Sequence, residues 1–234
     1  MGCRVPSIPF VSIIILNWNG WQDTLACVES CHRLDWPNFR IIVVDNASTD
    51  GSVKQLRKSL SNVEIIQSDA NLGFAGGNNI GIQRALECRA DYVWLLNNDT
   101  VADPQALTML VEAMENEPCA GIAGSKILYH EKPFMIWSTG GIWEKGRLHR
   151  RQRGANQLDS GQFDELCGVG SISGCSMMVR TTAVKKIGLM DESYFLYWED
   201  TEWSARTSAG GFKVLYVPRS KVWHKVSVST RQNR

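Results

Sequence analysis

The segment Val11-Ser-Ile-Ile-Ile-Leu16, followed directly by Asn17-Trp-Asn-Gly20, shows the pattern from which the fold is predicted. Its apolar run is short, rich in β-branched residues and bounded by turn residues, as is typical of a buried β-strand. Three more runs share this pattern, at residues 40–44, 63–66 and 92–96. Helical length and apolar spacing predict helices between these strands, at residues 21–34, 52–60 and 77–88.

Alternating strands and helices predict an α/β fold, with a mostly parallel central sheet flanked by helices on both faces. The alternation of strands and helices ends after Asp103-Pro104. This pair favours the start of a helix, because proline suits the first helical position. Residues 119–179 are rich in Gly, Trp and short apolar runs, so a smaller half with mixed strands and long loops is predicted there. A last helix is expected at about residues 199–208. The length of 234 residues fits one domain, with halves at about 10–103 and 104–226 and a tail at 227–234.

Composition excludes several classes of protein. The formal net charge of +1 gives no general attraction to nucleic acid, so no nucleic-acid partner is expected. The seven cysteines include no Cys-x-x-Cys pair, which argues against a zinc cluster or a disulfide framework and favours a reducing, cytoplasmic location. The apolar runs are shorter than the roughly 20 residues of a membrane-spanning helix, so contact with the inner face of a membrane would be peripheral. A basic stretch at residues 145–153 is interpreted as a solvated loop, with an anion-binding or membrane-facing surface as the alternative.

Polar loops follow each of the four predicted strands, at residues 17–20, 45–51, 71–79 and 97–100. In parallel sheets such loops meet at one rim, where ligands bind. Asp45 suits a hydrogen bond to a nucleobase or ribose, or else forms an Asx turn. The glycines at 73, 76 and 77 precede a helix whose backbone amides would suit an anion. They lack the Gly-x-Gly-x-x-Gly spacing, which disfavours a dinucleotide-dependent oxidoreductase.

Two acidic positions suggest chemistry. Asp99 follows a strand and is suited to hold Mg²⁺ or Mn²⁺ together with phosphate oxygens, although it could instead cap the turn before the next helix. Asp200 and Glu199 stand at a predicted helix start, where they could act on substrate or simply complement the helix dipole.

Six stretches of the chain resemble glycosyltransferase family 2 and its rhamnosyltransferase-like branch. They are residues 11–20, 41–52, 71–81 and 94–100, together with Gly174-Cys-Ser-Met-Met-Val-Arg180 and Phe195-Leu-Tyr-Trp-Glu-Asp-Thr-Glu202. The resemblance runs in order along nearly the whole chain. It implies the A-type glycosyltransferase fold, with a Rossmann-like nucleotide-sugar-binding half followed by an acceptor half. The implied activity is metal-dependent, inverting transfer of a hexose from a UDP- or dTDP-linked sugar to a glycan or lipid-linked acceptor, in polysaccharide, cell-wall or glycoconjugate synthesis.

The resemblance also implies roles for individual residues. Asp200 would be the catalytic base, with Glu199 as the weaker candidate for that role, and Asp99 and His224 would hold the metal. Gly174, Trp198 and Glu199 would lie on the acceptor or sugar side. The nucleotide sugar would be bound by Asn17, Trp18, Asn19, Asp45, Asn71, Gly73, Asn78 and Asn98.

The chain departs from the family pattern at Asn97, where an aspartate is usual, so we expect weak metal binding without the nucleotide. It also ends ten residues after His224, which indicates a compact or a truncated member. Two alternatives stay open at this point: a nucleotidyltransferase, and a noncatalytic protein that binds nucleotide sugars or glycans. The enzymatic interpretation requires that Asp99 and Asp200 face one cleft.

Overall fold

The computed structural model describes residues 8–143 and 150–226. The predicted basic loop therefore lies largely outside the described residues, as does the tail at 227–234. The first half alternates strands and helices as predicted: β1 Val11–Asn17, α1 Trp21–Cys31, β2 Phe39–Asp45, α2 Ser52–Ser59, β3 Glu64–Gln67, α3 Gly73–Glu87 and β4 Tyr92–Asn97.

The second half is mixed, again as predicted. Its elements are β5 Thr100–Ala102, α4 Ala106–Asn116, β6 Ala120–Tyr129, β7 Ile136–Ser138, β8 Gly141–Trp143, β9 Arg150–Gln152, β10 Cys167–Gly168, β11 Ser176–Arg180, α5 Thr181–Ile187, α6 Glu199–Ala209 and β12 Lys213–His224. Two predictions need correction. Helix α3 begins at Gly73 rather than at residue 77, and α5 was not predicted.

The main sheet has the order β10-β12-β6-β11-β4-β1-β2-β3. Strand β1 pairs in parallel with β2 on one side and β4 on the other, so the strand order reverses between β1 and β4. Strand β11 is antiparallel to both β4 and β6, and it joins the two halves into one sheet. A reversal of this kind opens a crevice at the carboxyl ends of the parallel strands.

Alternate residues of β1 pack in two different hydrophobic cores, because successive side chains of a strand point to opposite faces of the sheet. Ile13 belongs to a cluster that includes Cys27 of α1 and Leu107 of α4. Ile14 belongs to a second cluster that includes Ile82 of α3 and Trp203 of α6. Helices therefore cover both faces of the sheet, and the α/β prediction is confirmed.

The long strand β12 brings the end of the described chain back to the rim. It runs parallel to β6 and pairs at its end with the short strand β5, where His224 lies opposite Thr100. The amide of Lys225 then donates a hydrogen bond of 2.9 Å to the carbonyl of Asp99. Within residues 8–143 and 150–226, no helix has the length and apolarity needed to cross a bilayer.

Candidate active site

A cavity of about 640 Å³ opens at the carboxyl ends of β1 and β4. Both Asp99 and Asp200 line it, so the two carboxylates share one cleft although they are far apart in the sequence. Most of the other predicted site residues line it as well: Trp18, Asn71, Gly73, Asn98, Gly174, Trp198, Glu199 and His224.

The buried side chain of Asn17 lies outside the residues that line the cavity, so its role in binding the nucleotide sugar stays a prediction. Its Nδ2 donates hydrogen bonds to Asp45 Oδ2 at 2.7 Å and to Ser48 Oγ at 3.1 Å, while its Oδ1 accepts one from Thr24. The other oxygen of Asp45 accepts a hydrogen bond from the amide of Ser48. The carboxylate of Asp45 is fully buried in this conformation, so the predicted contact with a nucleobase would require this loop to rearrange.

Two further asparagines have roles within the protein and are not among the residues lining the cavity. Asn19 accepts a hydrogen bond from the amide of Thr49, which closes the loop after β2 against the loop after β1. Asn78 is buried in α3 and donates to the carbonyl of Phe74 in the preceding turn. For both, the binding role predicted from the sequence stays a prediction.

The amides at the start of α3 have partners within the protein, and the anion-binding role predicted for this helix start stays a prediction. The amides of residues 72–74 donate to the side chains of Asn46 and Asn71 and to the carbonyl of Phe195. Gly73 is required here because its φ is +70° and a Cβ would lie 2.2 Å from Phe195 O. This glycine therefore allows a close approach of the segment that precedes α6.

Asp99 and His224 form a pair on one wall of the cavity. His224 Nε2 lies 3.1 Å from Asp99 Oδ1, and both side chains are about nine-tenths buried. Burial alone would lower the pKa of His224, but the neighbouring Cys175 and Asp99 outweigh it and raise this pKa to about 10. The ring of Trp137 meets the imidazole edge to face at 4.8 Å. The imidazole is therefore held in a fixed orientation toward Asp99.

The Asp99–His224 pair fits a divalent cation. The separation of 3.1 Å between Asp99 Oδ1 and His224 Nε2 is that of a hydrogen-bonded ion pair, so a cation bound by both atoms would have to displace the proton of Nε2. Carboxylate oxygens suit Mg²⁺ and Mn²⁺, and imidazole is a common metal ligand. Among the described residues, no group of three or more His, Cys, Asp or Glu side chains could hold a metal ion. The remaining ligands of a cation held by Asp99 and His224 would therefore have to be of another kind. Phosphate oxygens of a nucleotide could supply them.

Asp200 lies in the first turn of α6 and also lines the cavity. Its Oδ2 accepts a hydrogen bond of 3.0 Å from the amide of Gly174, and its Oδ1 accepts one of 3.0 Å from the hydroxyl of Thr201. Gly174 is needed at this point because a Cβ would lie 2.8 Å from the ring of Phe74. These two hydrogen bonds hold the carboxylate of Asp200 in one orientation at the start of α6.

The structure adds site residues that the sequence did not single out. Asn46, Cys175, Phe195, Leu196 and Tyr197 line the cavity, and the last three form one exposed run with the predicted residue Trp198. Two residues of that run have left-handed backbone conformations, with φ of 71° at Tyr197 and 76° at Trp198. The sequence pattern that could have predicted these cavity residues is the aromatic run at 195–198, which directly precedes the acidic start of α6. Trp203, by contrast, is fully buried in the core.

With this geometry established, comparison with known proteins identifies the class. Residues 12–188 match the sequence model described as Glycosyl transferase family 2, and the chain belongs to this family. It is similar to the N-acetylglucosaminyl-diphospho-decaprenol L-rhamnosyltransferase of Mycobacterium tuberculosis, with 27% identity over 81% of this chain and 67% of that protein. It is also similar to the dTDP-rhamnosyl transferase RfbF of Shigella flexneri, with 29% identity over 91% of this chain and 68% of that protein.

Solved structures show the same fold. One is GalNAc-T7 with UDP, GalNAc and Mn²⁺, at a TM-score of 0.74 and 17% identity over 94% of this chain and 44% of that one. Another is the mannosyltransferase PcManGT from Pyrobaculum calidifontis with GDP-Man and Mn²⁺, at a TM-score of 0.70 and 14% identity over 96% of this chain and 59% of that one. The chain thus spans about two thirds of the first two relatives and about half of these solved chains. The predicted A-type glycosyltransferase fold is confirmed.

Gly73→Ala and Gly51→Ala test whether close packing against Phe195 shapes the cavity wall. Both glycines have positive φ, but a Cβ at Gly51 would meet nothing within 4 Å. We expect Gly51→Ala to lower the free energy of unfolding by about 1–2 kcal/mol, the cost of the left-handed conformation alone. Gly73→Ala should cost about 1–3 kcal/mol more, because the added methyl group displaces the segment at 194–198. Urea unfolding of both variants measures the difference, and equal losses would contradict it.

Proposed function

We propose that this domain transfers a hexose from a nucleoside-diphosphate sugar to an acceptor hydroxyl, with inversion at the anomeric carbon and with help from Mg²⁺ or Mn²⁺. One observation carries the proposal: the Asp99–His224 pair and the carboxylate of Asp200 line the same cavity. This arrangement supplies a place for the leaving diphosphate and a base for the attacking hydroxyl within one site.

The leaving-group side consists of Asp99 and His224, which would hold the cation. When bound, a divalent cation neutralises negative charge that develops on the diphosphate. Asn98 directly precedes Asp99, and its Nδ2 donates a hydrogen bond of 3.1 Å to Thr24 Oγ1. Trp18 lines the cavity and is 40% exposed, which leaves an aromatic face free to contact a nucleoside. These residues would bind and orient the donor.

On the acceptor side, Asp200 would take the proton of the attacking hydroxyl. The acceptor oxygen forms a bond to the anomeric carbon as the bond from that carbon to the diphosphate oxygen breaks, and the proton passes to the Asp200 carboxylate. A single displacement of this kind inverts the anomeric configuration. The hydrogen bond from Gly174 leaves the carboxylate in a fixed position, as a general base requires.

The names of relatives and neighbours support a choice of substrates. Relatives are named for dTDP-rhamnose and for a diphospho-decaprenol acceptor, and a solved neighbour holds UDP. We therefore propose a dTDP- or UDP-linked donor and a glycan or lipid-linked acceptor, used in the synthesis of a polysaccharide, the cell wall or a glycoconjugate. The proposed location is the cytoplasm, with peripheral contact at the inner face of the membrane.

Donor binding should depend on the cation through Asp99. By isothermal titration calorimetry, we expect dTDP-rhamnose or UDP-linked sugars to bind at least about tenfold more tightly with Mn²⁺ than with EDTA, because a cation offsets the diphosphate charge. Asp99→Asn should remove most of this difference. Glu112→Gln, which makes the same acid-to-amide change on the exposed face of α4, should retain it. The assignment of Asp99 fails if the Mn²⁺ dependence survives in Asp99→Asn.

Asp200→Asn should separate catalysis from binding. The amide oxygen can still accept the hydrogen bond from Gly174, so the fold and donor affinity should be retained. Transfer should fall by about 10²–10⁴-fold, since the amide cannot take a proton. Initial rates measured at saturating donor, with Glu112→Gln as the control, test this expectation. Unchanged turnover in Asp200→Asn would exclude it as the base, and would favour a noncatalytic or different enzymatic use of the cavity.

A further inference from the structure

Two residues that line the cavity have no binding role so far, Trp137 of β7 and Gln152 of β9. Both strands lie in the mixed second half of the chain, whereas β1 and β4, whose ends open the cavity, lie in the first. Both side chains are partly exposed, so the structure presents them to a molecule in the cavity. They form a stretch of wall that the proposed roles of Asp99, His224 and Asp200 leave unexplained.

A β-bulge places Trp137 at the cavity. In the antiparallel pairing of β6 with β7, Ile127 lies opposite Ser138. The next residue of β6, Leu128, lies opposite Ile136, so Trp137 is an extra residue on β7. Its neighbours Ile136 and Ser138 are fully buried, whereas Trp137 is partly exposed. Bulges redirect side chains and are frequent next to active sites, so the backbone here is shaped to present the indole to the cavity.

The contact between Trp137 and His224 places this stretch of wall on the donor side. The two rings meet edge to face, with their centroids 4.8 Å apart. His224 Nε2 faces Asp99 Oδ1, where the diphosphate would be held with its cation. In a nucleotide sugar the anomeric carbon is bonded directly to a diphosphate oxygen, so the sugar ring would lie next to this pair. Trp137 would therefore be a neighbour of the donor sugar rather than of the nucleoside.

Gln152 adds a polar group to the same stretch of wall. The backbone beside it is fixed against the segment that follows β7: the amide of Thr139 donates to the carbonyl of Arg153 at 3.1 Å, and the amide of Arg153 donates to the carbonyl of Gly140 at 2.9 Å. The side-chain amide of Gln152 makes no hydrogen bond within the described part of the chain. An amide offers both donors and an acceptor, which suits the hydroxyl groups of a sugar.

We propose that Trp137 and Gln152 form the subsite for the sugar ring of the donor, with the indole packed against its C–H groups and the amide hydrogen-bonded to one of its hydroxyls. This inference rests on the proposed glycosyl transfer. It assigns recognition of the donor sugar to β7 and β9, in the half of the chain that the sequence predicted to bind the acceptor. These two residues discriminate among sugars and contribute little to the affinity for the nucleotide itself.

The test compares a nucleotide sugar with its nucleotide by isothermal titration calorimetry in the presence of Mn²⁺. The probes are dTDP-rhamnose with dTDP, and UDP-glucose with UDP. For the pair that the wild-type protein binds more tightly, the Kd of the sugar conjugate divided by that of the nucleotide should rise about 3- to 10-fold in Gln152→Ala, as for a lost hydrogen bond. It should rise about 10- to 100-fold in Trp137→Ala, as for a lost aromatic anchor. Gln157→Ala, which removes an exposed amide from the loop after β9, is the control and should leave the ratio unchanged.

The ratio separates this role from a merely structural one. If Trp137 only positions His224, its loss weakens sugar conjugate and nucleotide by the same factor, and the unchanged ratio overturns the proposal. A rise in the acceptor KM with an unchanged ratio would place the two residues on the acceptor side and overturn it too. Should Trp137→Ala fail to fold, Gln152→Ala and Trp137→Phe decide. A wild-type protein that binds none of the four probes rejects the proposed function itself, whereas an unchanged ratio in a protein that binds them rejects the subsite alone.

Discussion

The antiparallel pairing of β12 with β5 is the contact on which the site depends. It holds His224 opposite Thr100, and the amide of Lys225 fixes the carbonyl of Asp99. Two side chains from distant parts of the sequence are thereby placed 3.1 Å apart in a largely buried wall. Without this pairing the described residues would offer a single carboxylate there, and a cation would depend almost entirely on the nucleotide for its ligands.

A second strand pairing positions the part of the cavity wall that carries Asp200. Strand β11 pairs with β4, so the loop before β11 reaches the rim and the amide of Gly174 holds the Asp200 carboxylate. Gly73 allows the segment before α6 to lie directly against the start of α3. The strand-order reversal between β1 and β4 opens the crevice, and these contacts position the part of its wall that carries Asp200. The proposed division of labour between metal holding and proton removal follows from this geometry.

Local patterns were sufficient to predict the first half of the fold, because apolar strands such as Val11–Asn17 and their helices have strong periodicity. Family resemblance located Asp99, Asp200 and His224 in the sequence, but their proximity depends on long-range strand pairing that no local pattern encodes. For Asn17 and the amides at the start of α3, the structure shows hydrogen-bond partners within the protein that the sequence did not predict. Polar groups at the carboxyl ends of the strands can bind a ligand or form hydrogen bonds with one another. Only the structure shows which hydrogen bonds form within the protein.

The position of a bound cation tests the central claim most directly. A crystal structure with UDP or dTDP and Mn²⁺, with anomalous scattering data collected at the manganese edge, would locate the ion without reference to activity. We expect one peak within about 2.3 Å of both Asp99 Oδ and His224 Nε2, on the wall of the cavity that Asp200 also lines. A peak elsewhere, or a nucleotide bound with Mn²⁺ that contacts neither residue, would contradict the proposed site.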